Sequence, residues 1–266
     1  MRYTPGIGSV MAPTIRCTSF VDDDAICVLT ISNPRKRNAL TPSMLSLLAT
    51  LLPSAPASPH QPLRAVIIEG DGATFSSGFD LAAISGVRDS GVDPITVAAA
   101  AIAACPVPVI AAVDGACYGG AVELLAACAL RVTSSSARFA VPAVHLGLVY
   151  PASGLRRFRR LLGHNAERVL LVGRVFSAAD ACAWGLVHDV VDDARAFARA
   201  LARDIAAAAP LAVAGTLGAL RAIDNDNDDN DDEVINDFRA AALGSADLDE
   251  GVCAANEKRP ATFAGR

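Results

Sequence analysis

The sequence predicts an α/β core carrying a helical C-terminal region. Short β-branched runs recur at residues 26–31, 65–68 and 107–113, each followed by helix-like sequence. Glycine-rich turns join strand-like to helix-like segments. After residue 193 every strong periodic signal is helical, which marks a change of class at about residue 200.

Taken in order, the run at 26–31 follows the acidic turn Asp22-Asp23-Asp24, and the run at 65–68 follows Pro62; both read as buried strands. Between them Thr41 is an N-cap with Pro42 at the first helical position. Leucines at 45, 47, 48, 51 and 52 continue that helix until Pro53 stops it, and residues 53–62 read as a proline-rich loop. An alanine-rich helix is expected over 94–104. The strand at 107–113 then runs into Asp114-Gly115-Ala116-Cys117-Tyr118-Gly119-Gly120-Ala121-Val122-Glu123, where the glycines give way to a helix ending near Cys128. Residues 130–133 and the stretch around Phe139 read as extended, 152–162 and 166–172 as helical, and 187–191 as the last strand. The division expected is a core over residues 11–200 and a helical region over 201–266, with Met11 a candidate start after a leader without periodicity. The acidic run at 224–233 reads as a solvated loop between two helices. A calcium loop would need a mid-loop glycine that the run lacks.

Composition narrows the function. The 266 residues are 52% apolar, enough for a sizeable core, and the net charge of −5 leaves no basic surplus for a phosphate backbone. Nucleic acid is not an expected partner. No apolar stretch reaches the ~20 residues of a membrane span, and no signal-like N-terminus is present, so no membrane partner and a cytoplasmic location are expected. The seven cysteines are scattered singly, and the four histidines show no ligand spacing beside them, so reduced thiols and no metal site are expected.

Two turns carry the chemistry. Ser77-Gly78-Phe79-Asp80 and Gly119-Gly120-Ala121 each follow a strand and precede helical sequence. Such turns present free N–H groups at a helix N-terminus, where the macrodipole favours developing negative charge. Glu123 lies three residues after Gly120, on the same side of a helix that begins there. A carboxylate so placed can reach the atom next to a bound carbonyl; its plainer role is to complement the helix dipole.

Four motifs, in order, resemble the enoyl-CoA hydratase/isomerase, or crotonase, family. They are Asn33-Pro34-Arg35-Lys36-Arg37-Asn38-Ala39-Leu40; Phe75-Ser76-Ser77-Gly78-Phe79-Asp80-Leu81; the segment from Asp114-Gly115 to Gly119-Gly120-Ala121-Val122-Glu123-Leu124; and Glu257-Lys258-Arg259-Pro260 with Phe263. The resemblance implies a ββα spiral core with C-terminal helices that assemble homotrimers, often paired as hexamers. It implies an acyl-CoA substrate, no cofactor beyond the coenzyme A which that substrate carries, and an oxyanion hole made by the N–H groups of Phe79 and Gly120. Glu123 would be the acid/base. Around coenzyme A it places the first loop, with Arg37 and Ala39, the first turn, with Ser77, Gly78, Asp80 and Leu81, then Gly119 and, from the C-terminus, Lys258.

One departure bears on the reaction. In the family's hydratases a second glutamate follows the Phe-x-x-Pro segment, whereas here Phe139-Ala140-Val141-Pro142 is followed by Ala143. Losing a positioned acid or base costs ~10²–10⁴ in rate, whereas moving a double bond needs one group to take and return a proton. A single glutamate suits isomerisation or a related enolate reaction, a decarboxylation among them; a silent acyl-CoA-binding relative is the alternative. His145 is the nearby substitute titratable group, though a packed histidine is its plainer reading. The segment Gly147-Leu148-Val149-Tyr150-Pro151 is one residue longer than the family's Gly-x-x-Pro, which would reshape the acyl pocket and let Tyr150 line it; the resemblance also implies Pro142 and Ala143 as substrate-binding residues.

Overall fold

A computed structural model describes residues 12–20, 23–52, 63–224 and 231–266. The leader before Met11, the proline-rich loop at 53–62 and the middle of the acidic run lie outside the described residues.

Strand β1 (Thr14–Phe20) pairs antiparallel with β2 (Asp23–Ser32), Ile15 opposite Ile31. Its mixed polar and apolar sequence hides it from pattern reading, as an edge strand's does. Strand β2 begins at Asp23, so two of the three acidic residues expected in a turn belong to the strand. Helix α1 (Pro42–Leu51) starts as expected, with the Thr41 hydroxyl accepting from the Met44 N–H at 3.2 Å and Met44, Leu45 and Leu48 buried.

After β3 (Ala65–Gly70) come the short helix α2 (Ile84–Ser90) and α3 (Pro94–Ala104). Asp93 caps α3, accepting from the Ile95 N–H and the Thr96 hydroxyl, both at 3.0 Å. Strand β4 (Val109–Val113) begins beyond Pro108, later than the sequence suggested. There follow β5 (Ala116–Tyr118), α4 (Gly120–Ala127), β6 (Leu130–Ser134) and β7 (Arg138–Ala140). Helices α5 (Ala152–Leu162) and α6 (Asn165–Val172) precede β8 (Phe176–Ser177), α7 (Ala178–Ala183) and β9 (Asp189–Val191). Four helices close the chain: α8 (Ala194–Ala207), α9 (Pro210–Ile223), α10 (Asp231–Leu243) and α11 (Ala246–Glu257). The acidic run therefore surrenders its last residues to α10, because aspartates are favourable at the positive end of a helix.

The main sheet runs β1-β2-β3-β4-β6-β9, parallel except for β1, and a smaller sheet runs β5-β7-β8. Period-two alternation divides the inner strands between two apolar layers. Leu29, Ile31, Val66, Ile68, Val109, Ala111 and Val113 face α1, α3 and α4, while Ile26, Val28, Ile67, Ile110 and Ala112 face Ala198 and Ala202 of α8. Helix α8 crosses position 200 while lying on the sheet, so the layer that covers the core extends to Ala207. No single helix among the described residues is long and apolar enough to cross a membrane.

Gly115 marks the tightest joint between the sheets. Its φ is +63°, and a Cβ there would stand 2.0 Å from the Ala73 carbonyl oxygen, whereas Gly72, at φ +70°, has open space around it. We predict that Gly115→Ala lowers the unfolding free energy by about 2 kcal/mol or more, and Gly72→Ala by about 1 kcal/mol. Urea denaturation of the two variants beside the parent checks the contrast.

Candidate active site

The first loop is sewn onto the first turn by buried amides. The Asn33 side chain donates to the Ala39 carbonyl at 2.9 Å and the Asn33 N–H donates to the Asn38 side chain at 3.0 Å. Asn38 donates to the carbonyls of Asp71 and Thr74 at 2.9 and 2.7 Å. Holding these bonds puts Arg37 and Asn38 in the left-handed region, at φ +51° and +58°. The loop's backbone then pairs with the turn: Ser77 N–H donates to Arg37, Leu40 N–H to Gly78 and Asp80 N–H to Leu40, at 2.8–3.0 Å. Ala39 is buried, Ser77 and Asp80 are half-buried and Leu81 is exposed. Lys36 bonds the Asp80 carboxylate at 2.7 Å and holds it below its ordinary pKa.

The two glycine turns touch. Ser76 and Ala116–Tyr118 exchange backbone hydrogen bonds of 3.0 Å, and a Cβ on Gly78, at φ +93°, would lie 2.6 Å from the Tyr118 carbonyl. Only glycine permits that approach. Gly119 follows at φ +55°, donates its N–H to Ala140 at 2.8 Å, and precedes the first residue of α4. Neither the Phe79 nor the Gly120 N–H has a partner among the described residues' hydrogen bonds, as helix geometry requires for the first turn of α4. The side chain of Ile95 covers Gly120, where a Cβ would meet it at 2.7 Å.

Glu123, one turn into α4, is 0% exposed. Its Oε1 accepts from Arg157 Nη1 of α5 at 3.2 Å, and its Oε2 is buried without a partner. Helix α5 comes this close because residue 154 is glycine: a Cβ there would lie 2.9 Å from Oε1. Burial raises the Glu123 pKa to about 7, against the pull of the Arg157 charge and with a further push from Asp93. The same desolvation lowers the pKa of Arg157 and, with Glu123 nearby, raises that of Tyr150.

Of the remaining sequence candidates, Pro142 begins a 3₁₀ turn formed by Ala143–Leu146, in which Ala143 is buried. Tyr150 lies edge-on against Phe158 of α5, their centroids 5.4 Å apart, at the end of the segment that leads into the Glu123 contacts. His145 turns elsewhere. Its Nε2 lies 3.0 Å from the Val172 carbonyl, and its ring packs on Gly173 at the end of α6. Lys258 is the exposed, left-handed C-cap of α11; no hydrogen bond or ion pair among the described residues joins it to either turn. Beside it, Arg259 pairs with Glu250 and Glu257. No cluster of three or more potential metal ligands occurs among the described residues.

A cavity of about 1070 Å³ lies elsewhere, bounded by the ends of α3 and α4, by α5 and by α9. Its lining includes Arg131, Arg160, Arg221 and His188 but not Phe79, Gly120 or Glu123; Arg157 alone reaches both places.

The enoyl-CoA hydratase/isomerase family model matches residues 22–266. The chain belongs to that family. It is 31% identical over 262 residues to the peroxisomal Delta(3,5)-Delta(2,4)-dienoyl-CoA isomerase of Arabidopsis thaliana, covering 91% of this chain and 94% of that one. It is 34% identical over 199 residues to a mevalonyl-coenzyme A hydratase of Aspergillus fumigatus, covering 71% and 72%. Among solved structures, the enoyl-CoA hydratase of Bacillus anthracis superposes with a TM-score of 0.87 at 27% identity, over 95% of this chain and 100% of that one. The fold is the crotonase fold, as the four motifs implied.

Within this family frame, sequence reading missed Arg157, Gly154 and Ile95. A signal for the first two was present, since residues 154 and 157 share a face of a helix. What the pattern lacked was the identity of the partner across that face.

The raised Glu123 pKa sets a pH dependence. The folded chain keeps Glu123 protonated up to about pH 7, while the unfolded chain ionises near 4.5, so this group's stabilisation is complete below 4.5 and is lost as pH rises through 7. The loss saturates at about 3 kcal/mol. Glu123→Gln should abolish most of that slope, measured as the difference between urea unfolding free energies at pH 5 and pH 8.5.

Proposed function

We propose that this chain is an acyl-CoA isomerase of the family, moving a proton between carbons of a thioester through an enolate. In this reading the N–H groups of Phe79 and Gly120 hold the developing oxyanion and Glu123 takes and returns the proton. The observation that carries it is a buried carboxylate with one unpartnered oxygen, on the first turn of the helix whose N-terminus abuts the first glycine turn. Preorganised N–H donors of this kind contribute about 2.7–4 kcal/mol each in other enzymes. A pKa near 7 suits a group that must act as base and then as acid at neutral pH.

The relatives' names divide between isomerases and hydratases, and Ala143 weighs for the first. Hydration requires a second group to activate water; Ala143 offers none, and His145 is engaged with α6. Coenzyme A would lie along the first loop and turn, near Arg37, Ala39, Ser77, Gly78, Asp80 and Leu81, with Gly119 behind the oxyanion and Pro142, Ala143 and Tyr150 bounding the acyl group. The reading needs no cofactor besides the coenzyme A of the substrate, and a cytoplasmic site is in keeping with it. Lys258 would approach a phosphate of coenzyme A, although among the described residues no hydrogen bond or ion pair joins it to either turn. A homotrimer or homohexamer is supported by exposed Leu220, Ile223, Leu243 and Val252 on α9–α11.

Assaying 3-enoyl-CoA isomerisation and crotonyl-CoA hydration beside acyl-CoA binding tests the function. Isomerisation should exceed hydration, and Glu123→Gln should lower it by ~10²-fold or more while binding persists. Ala143→Glu should raise hydration, by less than a fully positioned acid would. Binding with no turnover of either compound would mark a silent acyl-CoA-binding relative instead. For the assembly, sedimentation at micromolar concentration should report a trimer or a multiple of it; a monomer would remove the assembly from the proposal.

A further inference from the structure

The geometry points to Arg157 as the positioning residue that makes Glu123 a one-sided proton carrier, anchoring Oε1 so that every proton exchanged with substrate passes through Oε2. The inference rests on the reading of Glu123 as the acid/base and goes beyond it by assigning the atom and the residue that selects it.

The two carboxylate oxygens are unlike. Oε1 receives Nη1 of Arg157 at 3.2 Å, whereas Oε2 is buried and unpartnered. A guanidinium has only donors, so a proton on Oε1 would face N–H groups with nothing to accept it. Neutral Glu123 therefore carries its proton on Oε2. As base, Oε2 takes the proton of the substrate C–H bond, and the bonding pair passes into the thioester enolate. As acid, the same O–H returns the proton to the other carbon, and the enolate pair forms that C–H bond. No other reactant enters.

Helix α5 builds this device with two residues. Gly154 lets the backbone approach the carboxylate, where a Cβ would stand 2.9 Å from Oε1 and 3.1 Å from Oε2, and Arg157 on the same face supplies the cation. The guanidinium is itself nearly buried, its side chain 12% exposed, which keeps water from competing for Oε1. The other charged or titratable groups that act on Glu123 are Asp93, before α3, and Tyr150, before α5. Asp93 opposes Arg157 and is already committed to capping α3.

The test is the pH profile of 3-enoyl-CoA isomerisation in Arg157→Gln and Arg157→Lys, with Glu123→Gln as reference. Removing the cation should cut kcat at pH 7 at least tenfold, leave KM within about threefold, and move the acidic-limb midpoint, where Glu123 ionises to become the base, upward by about one unit, so that activity returns in part at high pH. Arg157→Lys should restore the midpoint. An unchanged midpoint and kcat in folded Arg157→Gln, with Glu123→Gln inactive, would overturn the role of Arg157 alone; full turnover in Glu123→Gln would instead remove Glu123. If Arg157→Gln does not fold, infrared difference spectra of the parent between pH 5 and pH 9 decide. The C=O stretch of protonated Glu123, identified by its loss in Glu123→Gln, should lie at lower wavenumber than that of a carboxyl without a hydrogen bond to its carbonyl oxygen. A stretch at the unbonded position would show that Oε1 is not held.

Discussion

The hydrogen-bonded junction between the first loop, the first glycine turn and β5 is the constraint on which the site depends. Asn38 is 1% exposed and Ser76 is fully buried, and the Ser76 hydroxyl both donates to the Asn38 carbonyl at 2.7 Å and accepts from the Gly78 N–H at 3.1 Å. Buried polar groups must be paired, so these bonds leave the loop one arrangement. That arrangement carries Gly78 against Tyr118 and hence the end of the first turn against the start of α4. The left-handed Arg37 and Asn38 are the local conformational cost of closing the network.

Glu123 then illustrates a competition that burial wins. Arg157 stabilises the charged carboxylate, yet desolvation outweighs it, and the group titrates near neutrality instead of in the ordinary carboxylate range. Had the same glutamate stood exposed on the first turn of α4, it would only have complemented the helix dipole. Close packing at Gly154 turns a first-turn glutamate into a buried carboxyl that titrates near neutrality.

The C-terminal helices are less self-contained than the core. Helix α8 seals one face of the sheet, but α9 leaves a cavity of about 1070 Å³ against α3, α4 and α5. Arginines line it and are engaged with protein groups, Arg131 with Leu186 and Cys128, Arg221 with Cys105, Arg160 with Asp224. Large apolar side chains, Leu220, Ile223, Leu243 and Val252 among them, remain exposed on α9–α11.

By itself the sequence determined what local pattern and motif chemistry can encode. Inner strands, the Thr41-Pro42 helix start, the two glycine turns and Glu123 three residues into α4 were all legible, because periodicity, capping and positive-φ glycine are properties of neighbours in the chain. β1 was not legible, since an edge strand lacks continuous apolar character, nor was the start of α10 within the acidic run. What only the tertiary structure decided was which distant groups meet. His145 turns to α6, Arg157 meets Glu123 across 34 positions of sequence, and Gly154 makes room for that meeting. The carboxylate's pKa belongs to this second class, because desolvation is set by everything that packs around a group and not by the residues beside it in the chain.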